Sequence, residues 1–223
     1  YTMVMKMNKV IFQIYPHFIK KMEEFYLENE KKEKVDIVFV GDSMIELFDC
    51  STLNLPQYQI YNRGIISDKS AGVLLSFDDR VLALNPKLVV MEIGSNDICD
   101  GYTLKQIQTN LEDIIQKLKE KNIPLIILTT LPPCYYSAPH VDPIYRECRD
   151  IEKMEELNRI ILSLSKDNPF VHVLDIFPIY ADKNQSLRVE DTLDGIHLTP
   201  LAYQRMVEPL RQRILEVMKG QNV

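Results

Sequence analysis

Four short clusters of polar residues contain the residue types that acyl transfer needs. They are Gly41-Asp42-Ser43, Asn62-Arg63-Gly64, Gly94-Ser95-Asn96-Asp97 and Asp194-Gly195-Ile196-His197. Cleavage of an ester by a hydroxyl nucleophile requires a base that takes the hydroxyl proton and a carboxylate that orients the base. Ser43 can supply the hydroxyl and His197 the base. Asp194 lies three residues before His197, a spacing at which a local turn can bring its carboxylate to Nδ1.

The same chemistry needs hydrogen-bond donors for the negative charge that develops on the carbonyl oxygen of the substrate. The backbone N–H groups of Ser43 and Gly64 and the side-chain amide of Asn96 are the candidate donors. Gly64 has no side chain, so its backbone can approach a substrate closely. The clusters therefore predict an oxyanion hole beside the candidate nucleophile.

Each candidate also has a simpler structural interpretation. Ser43 can be the N-cap of a helix, because serine is favoured there. Gly64 and the Asp194-Gly195 pair can form turns, and Asn96 can close a strand through an Asx turn. A second chemical interpretation is a metal-dependent phosphoesterase, although no HxH or DxD pair supports it. Its ligands would be Asp42, Asp97, Asp194 and His197.

The clusters follow predicted strands, so a parallel sheet would bring them to one edge. Residues 35–40 form a short, β-branched and almost continuously apolar run, typical of a strand buried on both faces. The other predicted strands are residues 57–61, 87–93, 124–131 and 171–176. The predicted helices are residues 17–33, 68–84, 103–121, 144–166 and 199–218. This alternation indicates a parallel α/β sheet, which binds ligands at the carboxyl edge of its strands.

The composition limits the class of protein. The 223 residues suit one α/β domain over residues 1–223, to which residues 1–34 add an N-terminal helical segment. The net charge of −6 argues against a nucleic-acid-binding face. No apolar run approaches the roughly 20 residues of a membrane span. The cysteines form no CxxC pair, so we expect reduced thiols in a cytoplasmic protein. They are Cys50, Cys99, Cys134 and Cys148.

Together, the clusters resemble the motifs of the SGNH hydrolases, also called the GDSL esterase/lipase family. In family order, the similar segments are Gly41-Asp42-Ser43-Met44, with Met in place of the usual Leu, then Gly64, Gly94-Ser95-Asn96-Asp97, and Asp194 to His197. The resemblance covers residue 36 to the C-terminus. The helix before the first strand is similar to that of the platelet-activating-factor acetylhydrolase-like branch. Residues 65–69 differ, because they lack the second glycine that many relatives carry.

The resemblance implies a flavodoxin-like three-layer α/β/α sandwich with a five-stranded parallel sheet in the order 2-1-3-4-5. It implies a triad of Ser43, Asp194 and His197, with Ser43, Gly64 and Asn96 as oxyanion donors and no cofactor or metal. We therefore expect a serine esterase that hydrolyses a small acyl ester, acetyl first, through an acyl-enzyme. A lysophospholipase, lipase or thioesterase activity and a non-catalytic binding module remain alternatives. The sequence leaves open whether the chain forms a homo-oligomer.

Three residues beside the clusters are predicted to bind substrate: Met44, Arg63 and Ile65. Met44 and Arg63 are expected to flank the nucleophile. The bulk of residues 65, 66 and 69, where relatives often carry small residues, predicts a narrow acyl pocket. The loop at residues 132–143, rich in proline and tyrosine, is expected to form a wall of the substrate site.

Overall fold

The structure is a computed structural model that describes residues 4–7, 10–31, 33–166 and 168–220. Near the N-terminus, β1 (Val4–Met7) and β2 (Val10–Gln13) pair as an antiparallel hairpin. This hairpin is not among the elements predicted from the sequence. The two strands form a sheet of their own, separate from the sheet at the centre of the protein.

The central sheet has five parallel strands. They are β3 (Ile37–Gly41), β4 (Ile60–Gly64), β5 (Leu88–Glu92), β6 (Leu125–Leu128) and β7 (Val171–Leu174). The spatial order is β4-β3-β5-β6-β7, which is 2-1-3-4-5 when these five strands are counted along the chain. Every residue of β3, β5 and β6 is buried, as their continuous apolar runs predict. The expected flavodoxin-like fold is therefore confirmed.

Helices cover both faces of this sheet. They are α1 (Pro16–Asn29), α2 (Ser43–Glu46), α3 (Ser70–Arg80), α4 (Ser95–Cys99), α5 (Leu104–Glu120), α6 (Ile144–Glu147), α7 (Ile151–Ser163), α8 (Phe177–Tyr180) and α9 (Pro200–Gly220). On one face, Ile37 and Phe39 pack with α9, and on the other, Val38 and Val40 pack with α3, α5 and α7. No helix within the described ranges combines the length and the apolarity that crossing a membrane requires.

The bounds of several predicted elements differ from the observed ones: the helix predicted at residues 17–33 ends at Asn29, and the strand predicted at residues 124–131 ends at Leu128. The second strand of the central sheet begins at Ile60, three residues later than predicted. The helix predicted at residues 144–166 is interrupted at residues 148–150, because Asp150 adopts an extended conformation and caps α7. Its carboxylate accepts a hydrogen bond from the backbone N–H of Lys153 at 3.1 Å. This interruption places Arg149 outside both helices, beside α4.

A buried arginine joins the carboxyl ends of β3 and β4, where the first two clusters lie. Arg80 is fully buried, and its Nη2 donates to the carbonyl of Gly41 at 2.9 Å. Its Nε donates to the carbonyl of Arg63 at 2.6 Å. The third contact of the guanidinium is an ion pair with Asp68, whose side chain is also fully buried. One side chain therefore fixes β3, β4 and the loop after β4 relative to one another.

We predict that Arg80→Met lowers the free energy of unfolding by about 3–5 kcal/mol, because it leaves the Asp68 carboxylate buried without its partner. Urea unfolding measures this loss. The double variant R80M/D68N is expected to recover part of it. Arg159→Met is the matched control, because Arg159 and Glu156 form an exposed pair, which contributes less than about 1 kcal/mol. Equal losses in R80M and R159M would contradict the assignment.

Candidate active site

Ser43 is the first residue of α2, and only Asp42 separates it from the end of β3. The N-cap of α2 is Asp42, whose carboxylate accepts a hydrogen bond from the backbone N–H of Met44 at 2.9 Å. The N-cap interpretation of Ser43 is therefore wrong, because the preceding residue has that role. The hydroxyl of Ser43 remains available for another partner at the carboxyl edge of the sheet.

Two glycines allow α2 to lie close against the strand ends. A Cβ atom on Gly41 would be 2.0 Å from the carbonyl oxygen of Glu92 on the neighbouring strand. A Cβ atom on Gly64 would be 2.1 Å from the backbone nitrogen of Glu46 in α2. Any larger residue at either position would push the strand end and the helix apart. Gly64 is thus required for packing against the helix that carries Ser43.

The structure brings Ser43, His197 and Asp194 together in one hydrogen-bonded row. The Oγ of Ser43 is 3.0 Å from Nε2 of His197, although the residues are 154 positions apart. The Nδ1 of His197 is 2.6 Å from one carboxylate oxygen of Asp194. The other oxygen accepts the backbone N–H groups of Ile196 at 3.1 Å and His197 at 3.0 Å. A local turn therefore fixes the carboxylate and the imidazole relative to each other.

The hydrogen bonds in this turn affect the ionisation of Asp194. Partial burial acts to raise its pKa, but the hydrogen bonds from His197 and Ile196 favour the carboxylate and hold the pKa below its usual range. The loop at residues 132–143 supports the turn, because the backbone N–H of Asp142 donates to the carbonyl of Asp194 at 2.7 Å. The backbone N–H of Cys134 likewise donates to the carbonyl of Gly195 at 2.7 Å.

Asn96 lies in the first turn of α4, between the segment that carries Ser43 and the loop that follows β4. Its Nδ2 donates to the carbonyl of Asp68 at 3.1 Å and makes a longer contact of 3.4 Å with the carboxylate of Asp42. The backbone N–H of Ser43 has no hydrogen-bond partner among the described residues. Two of the predicted donors thus lie beside the candidate nucleophile.

Gly64, the third predicted donor, does not fit this role. Its backbone N–H donates to the side chain of Asn62 at 2.9 Å. The Asn62 amide is itself held by the carbonyls of Ile45 at 2.6 Å and Phe48 at 3.1 Å. The N–H of Gly64 is therefore already used inside a fixed turn. The short sequence cluster gave no indication that its own asparagine would occupy this donor.

Ser67 offers an N–H that the sequence analysis did not consider. It has a positive φ of 66°, a conformation that few residues other than glycine adopt. No described residue accepts a hydrogen bond from its backbone N–H. The next residue is Asp68, whose carbonyl accepts the hydrogen bond from Asn96. Ser67 therefore lies in the loop beside Asn96, and a serine in this conformation gives no signal in the sequence.

Two of the predicted substrate-binding residues are corrected by the structure. Arg63 is fully buried and its guanidinium lies 4.5 Å over the ring of Phe25 in α1. It forms an ion pair with Glu28. Ile65 is also fully buried and packs in the same cluster as Phe25. Both side chains face α1, which covers this end of β4, so neither can touch a substrate. The argument for a narrow acyl pocket from the bulk of Ile65 therefore fails.

Met44, the remaining predicted substrate-binding residue, is almost completely buried next to Ser43. Its backbone carbonyl accepts a hydrogen bond from the Tyr203 hydroxyl at 3.0 Å, and its side chain belongs to the core on the α9 face. Its position is adjacent to Ser43 as expected, and its packing connects α2 to α9.

Two buried carboxyl groups lie immediately behind Ser43. Burial and then the neighbouring Asp42 carboxylate raise the pKa of Glu92 well above its usual range. Burial likewise raises the pKa of Asp42 to about 6, although the hydrogen bond from the backbone N–H of Met44 acts to lower it. Neither carboxyl oxygen of Glu92 has a hydrogen-bond partner among the described residues. A buried carboxylate without a partner is costly, so burial favours the protonated form of Glu92.

The metal-site interpretation does not fit the arrangement. Asp97 accepts hydrogen bonds from the backbone N–H of Ser70 at 3.0 and 3.1 Å, and burial raises its pKa to about 7. Asp42 contacts Met44 and Asp194 contacts His197, so the proposed ligands serve separate purposes. Within the described ranges, no group of three or more acidic, histidine or cysteine side chains is placed to hold a metal ion.

A disulfide links the end of α4 to the segment after α6. Cys99 and Cys148 form this bond across 49 positions of sequence. Cys50 and Cys134 are free thiols. The expectation of four reduced cysteines is therefore wrong for one pair, because the fold brings together two residues whose spacing resembles no known motif. Disulfides persist in oxidising environments, so the cysteine argument for a cytoplasmic location does not stand.

A hydroxyl, an imidazole and a carboxylate in one row at the edge of a parallel sheet are typical of hydrolases that transfer acyl groups through serine. The profile of the GDSL-like Lipase/Acylhydrolase family matches residues 39–205. The chain belongs to this family. It is accordingly an ester hydrolase with the SGNH type of α/β fold.

Relatives of the chain agree with this assignment. Platelet-activating factor acetylhydrolase IB subunit alpha1 from Homo sapiens is 25% identical over 200 residues, which cover 86% of this chain and 81% of the relative. A GDSL-like lipase from Bacteroides thetaiotaomicron is 25% identical, with a TM-score of 0.72 over 87% of this chain and 97% of the other. A protein from Streptococcus pneumonia, provisionally described as a platelet activating factor, has the same fold at 24% identity, with a TM-score of 0.80 over 88% and 92% of the two chains.

We predict that the protein purified without reductant contains two free thiols. Alkylation under denaturing conditions is expected to label Cys50 and Cys134, whereas Cys99 and Cys148 become reactive only after reduction. Peptide mass spectrometry locates the labels. Labelling of all four cysteines before reduction would show that the bond does not form.

We further predict that Glu92→Gln reduces the loss of stability at high pH. The folded-state pKa of Glu92 is raised, so the folded protein retains a proton that the unfolded chain releases above about pH 4.3. Stability therefore falls as the pH rises from that value toward the folded-state pKa. Glutamine has nearly the same shape and removes this titration, so the difference in Tm between pH 5 and pH 8 is expected to shrink.

Thermal unfolding of the wild type, E92Q and Glu112→Gln at both pH values tests this prediction. Glu112 is exposed on α5, so its variant controls for the loss of a negative charge. A pH dependence of E92Q equal to that of the wild type would contradict a raised folded-state pKa of Glu92.

Proposed function

We propose that this chain is a serine esterase in which Ser43 is the nucleophile, His197 the general base and Asp194 the residue that orients the base. The observation that carries this proposal is the continuous row from Ser43 Oγ through His197 to Asp194, with distances of 3.0 and 2.6 Å. Nδ1 of His197 faces the carboxylate, which leaves Nε2 to accept the proton of Ser43.

The proposed reaction has two steps. In the first, Oγ attacks the ester carbonyl while its proton passes to Nε2 of His197, and the imidazolium then protonates the departing alcohol. In the second, water gives a proton to Nε2 and attacks the acyl-enzyme, so the acid leaves and Ser43 recovers its proton. Asp194 stays ionised throughout and stabilises the imidazolium, consistent with the lowered pKa of its carboxyl.

The oxyanion hole that we propose consists of the backbone N–H of Ser43, the amide of Asn96 and the backbone N–H of Ser67. The support is that Ser43 and Ser67 have N–H groups with no partner among the described residues, and that Asn96 lies between their segments. The weak 3.4 Å contact of Asn96 with Asp42 leaves one amide hydrogen for the substrate oxygen. Gly64 supports this hole only through its packing against α2.

The proposed substrate is a small acyl ester, with acetyl as the preferred acyl group. This choice is supported by the name of the platelet-activating factor acetylhydrolase relatives. The nature of the alcohol part stays open. We also propose that residues 1–223 act as one domain, because α1 packs Phe18 and Phe25 against Ile65 and Ala71 of the loop and helix that follow β4.

A specific observation favours a second candidate, a lipase or lysophospholipase activity on longer acyl chains. A largely apolar cleft of about 320 Å³ adjoins the site. Leu47, one helical turn after Ser43, lines it together with Leu193 and Leu198, which flank the segment from Asp194 to His197. An acyl or alkyl chain of a substrate bound to Ser43 could lie in this cleft.

We predict that Ser43→Ala lowers kcat for p-nitrophenyl acetate by about 10⁴-fold or more, because the members of a triad act as a unit. The fold is expected to stay intact by circular dichroism. A fluorophosphonate should label the wild type at Ser43 and leave the variant unlabelled, as intact mass would show. Full activity of S43A would support instead a mechanism without this nucleophile, and no activity in the wild type with any ester would favour a binding module.

A series of p-nitrophenyl esters from two to eight carbons distinguishes the two acyl preferences. The small-acyl proposal expects kcat/KM to decrease steadily from acetate. A maximum at eight carbons would contradict it and favour the lipase candidate. Leu47→Trp fills the apolar cleft, so it should reduce activity only on the long esters if the cleft binds the chain.

A further inference from the structure

Arg149 lies outside the four sequence clusters and yet contacts one of them. It occupies the interruption between α6 and α7 and is 3% exposed. Its Nε donates to Oγ of Ser95 at 2.7 Å, and its Nη2 donates to Oδ1 of Asn96 at 2.7 Å. Both acceptors belong to the first turn of α4. One planar guanidinium therefore holds two adjacent side chains in a fixed geometry.

This contact decides which way the amide of Asn96 points. A guanidinium has only donors, so the atom of Asn96 that faces it must be the carbonyl oxygen. The Nδ2 group is then directed to the opposite side, toward Asp42 and Asp68. That side is where the substrate oxygen would lie next to Ser43. Without Arg149, the amide could rotate and present its oxygen, which repels an oxyanion.

The charge of Arg149 is not balanced by a direct ion pair. Its other hydrogen bonds go to the carbonyl of Tyr145 at 3.4 Å and to the sulfurs of Cys148 at 3.1 Å and Cys99 at 3.7 Å. Within the described ranges, no carboxylate lies within ion-pair distance of it. Burial lowers the pKa of Arg149, although Asp42 acts in the opposite direction. A buried cation without a paired anion is costly, so its cost is expected to be offset by a role in the site.

The disulfide fixes the two segments that this contact connects. Cys99 is in α4 with Asn96, and Cys148 directly precedes Arg149. The guanidinium also lies 5.6 Å from the centroid of the Tyr145 ring, and this ring makes a T-shaped contact with the imidazole of His197, with centroids 5.9 Å apart. Arg149 thus connects the proposed oxyanion donor with the proposed base.

We propose that Arg149 is a positioning residue, which holds the Asn96 amide with its N–H groups toward the oxyanion and polarises them through a charge-assisted hydrogen bond. This inference rests on the proposed function. It adds a residue that contacts neither the substrate nor Ser43 and acts only through Asn96. Its effect should consequently appear in kcat and disappear when the amide of Asn96 is absent.

A double-mutant cycle with p-nitrophenyl acetate tests the inference. Because a misoriented oxyanion donor costs less than its removal, Arg149→Ala is expected to lower kcat by about 10- to 100-fold, against about 10²–10³-fold for Asn96→Ala. KM should change little in either variant. In the N96A background, R149A is expected to change kcat by less than about threefold, because coupled residues are not additive.

Chemical rescue provides a readout that a purely structural role would not affect. Guanidinium chloride at millimolar concentration, far below denaturing levels, should restore part of the kcat of R149A and none of that of N96A. Arg149→Lys keeps the charge and loses the planar fork, so it should fall between wild type and R149A. This variant retains the buried cation, so it replaces R149A in the double-mutant cycle if R149A does not fold. Circular dichroism and Tm show which variants are folded.

Arg146→Ala is the matched control. Arg146 lies in α6, three residues before Arg149, and contacts the carbonyl of Tyr135 at 3.4 Å, not α4. Its variant is expected to keep the wild-type kcat. Equal losses from R149A in the wild-type and N96A backgrounds, or no rescue, would overturn the inference and leave the proposed function intact. Wild-type activity in S43A would overturn the proposed function itself, so the two failures are distinguishable.

Discussion

The buried guanidinium of Arg80 is the contact on which the rest of the site depends. It binds the carbonyls at the ends of β3 and β4 and the carboxylate of Asp68. β3 leads to Ser43, and Asp68 follows Ser67 and receives the hydrogen bond from Asn96. Buried carbonyls need hydrogen-bond donors, and the carbonyl of Gly41 accepts from both Arg80 and the backbone N–H of Ile65. Arg80 supplies three donors to this edge, so Ser43 and the loop beside it have one common support.

Close backbone packing completes this support. Gly41 and Gly64 allow β5 and α2 to approach so closely that neither position accommodates a Cβ atom. The carboxyl of Glu92, whose pKa burial raises, is enclosed in the same layer behind Ser43. Buried ionisable groups are unfavourable for stability, and their concentration under the site is expected where chemistry requires a fixed electrostatic environment. The apolar faces of the sheet supply the compensating stability.

The parts of the site that local pattern determines could be predicted from sequence. The strand order, Ser43 after β3, and the pairing of Asp194 with His197 each depend on a short segment and on the rule that parallel strands end at one edge. Arg63 and Ile65 were misassigned because their orientation depends on α1, which lies far away in sequence. Ser67 and Arg149 were missed for a related reason. Their roles depend on a positive φ at a non-glycine residue and on a helix interruption, and neither has a clear sequence signal.

The turn from Asp194 to His197 has a consequence for how such a site can diversify. Its carboxylate and imidazole are aligned by hydrogen bonds within four residues, so this pair moves as one rigid unit. The remainder of the fold has to maintain the long-range distance from this unit to Ser43 and the placement of Asn96 and Ser67 beside Ser43. Insertions in other loops, or changes in strand length elsewhere in the sheet, therefore leave this arrangement unaffected as long as those placements are preserved. The architecture can thus acquire new surroundings for Ser43, and with them new substrates, without rebuilding the row that we propose for proton transfer.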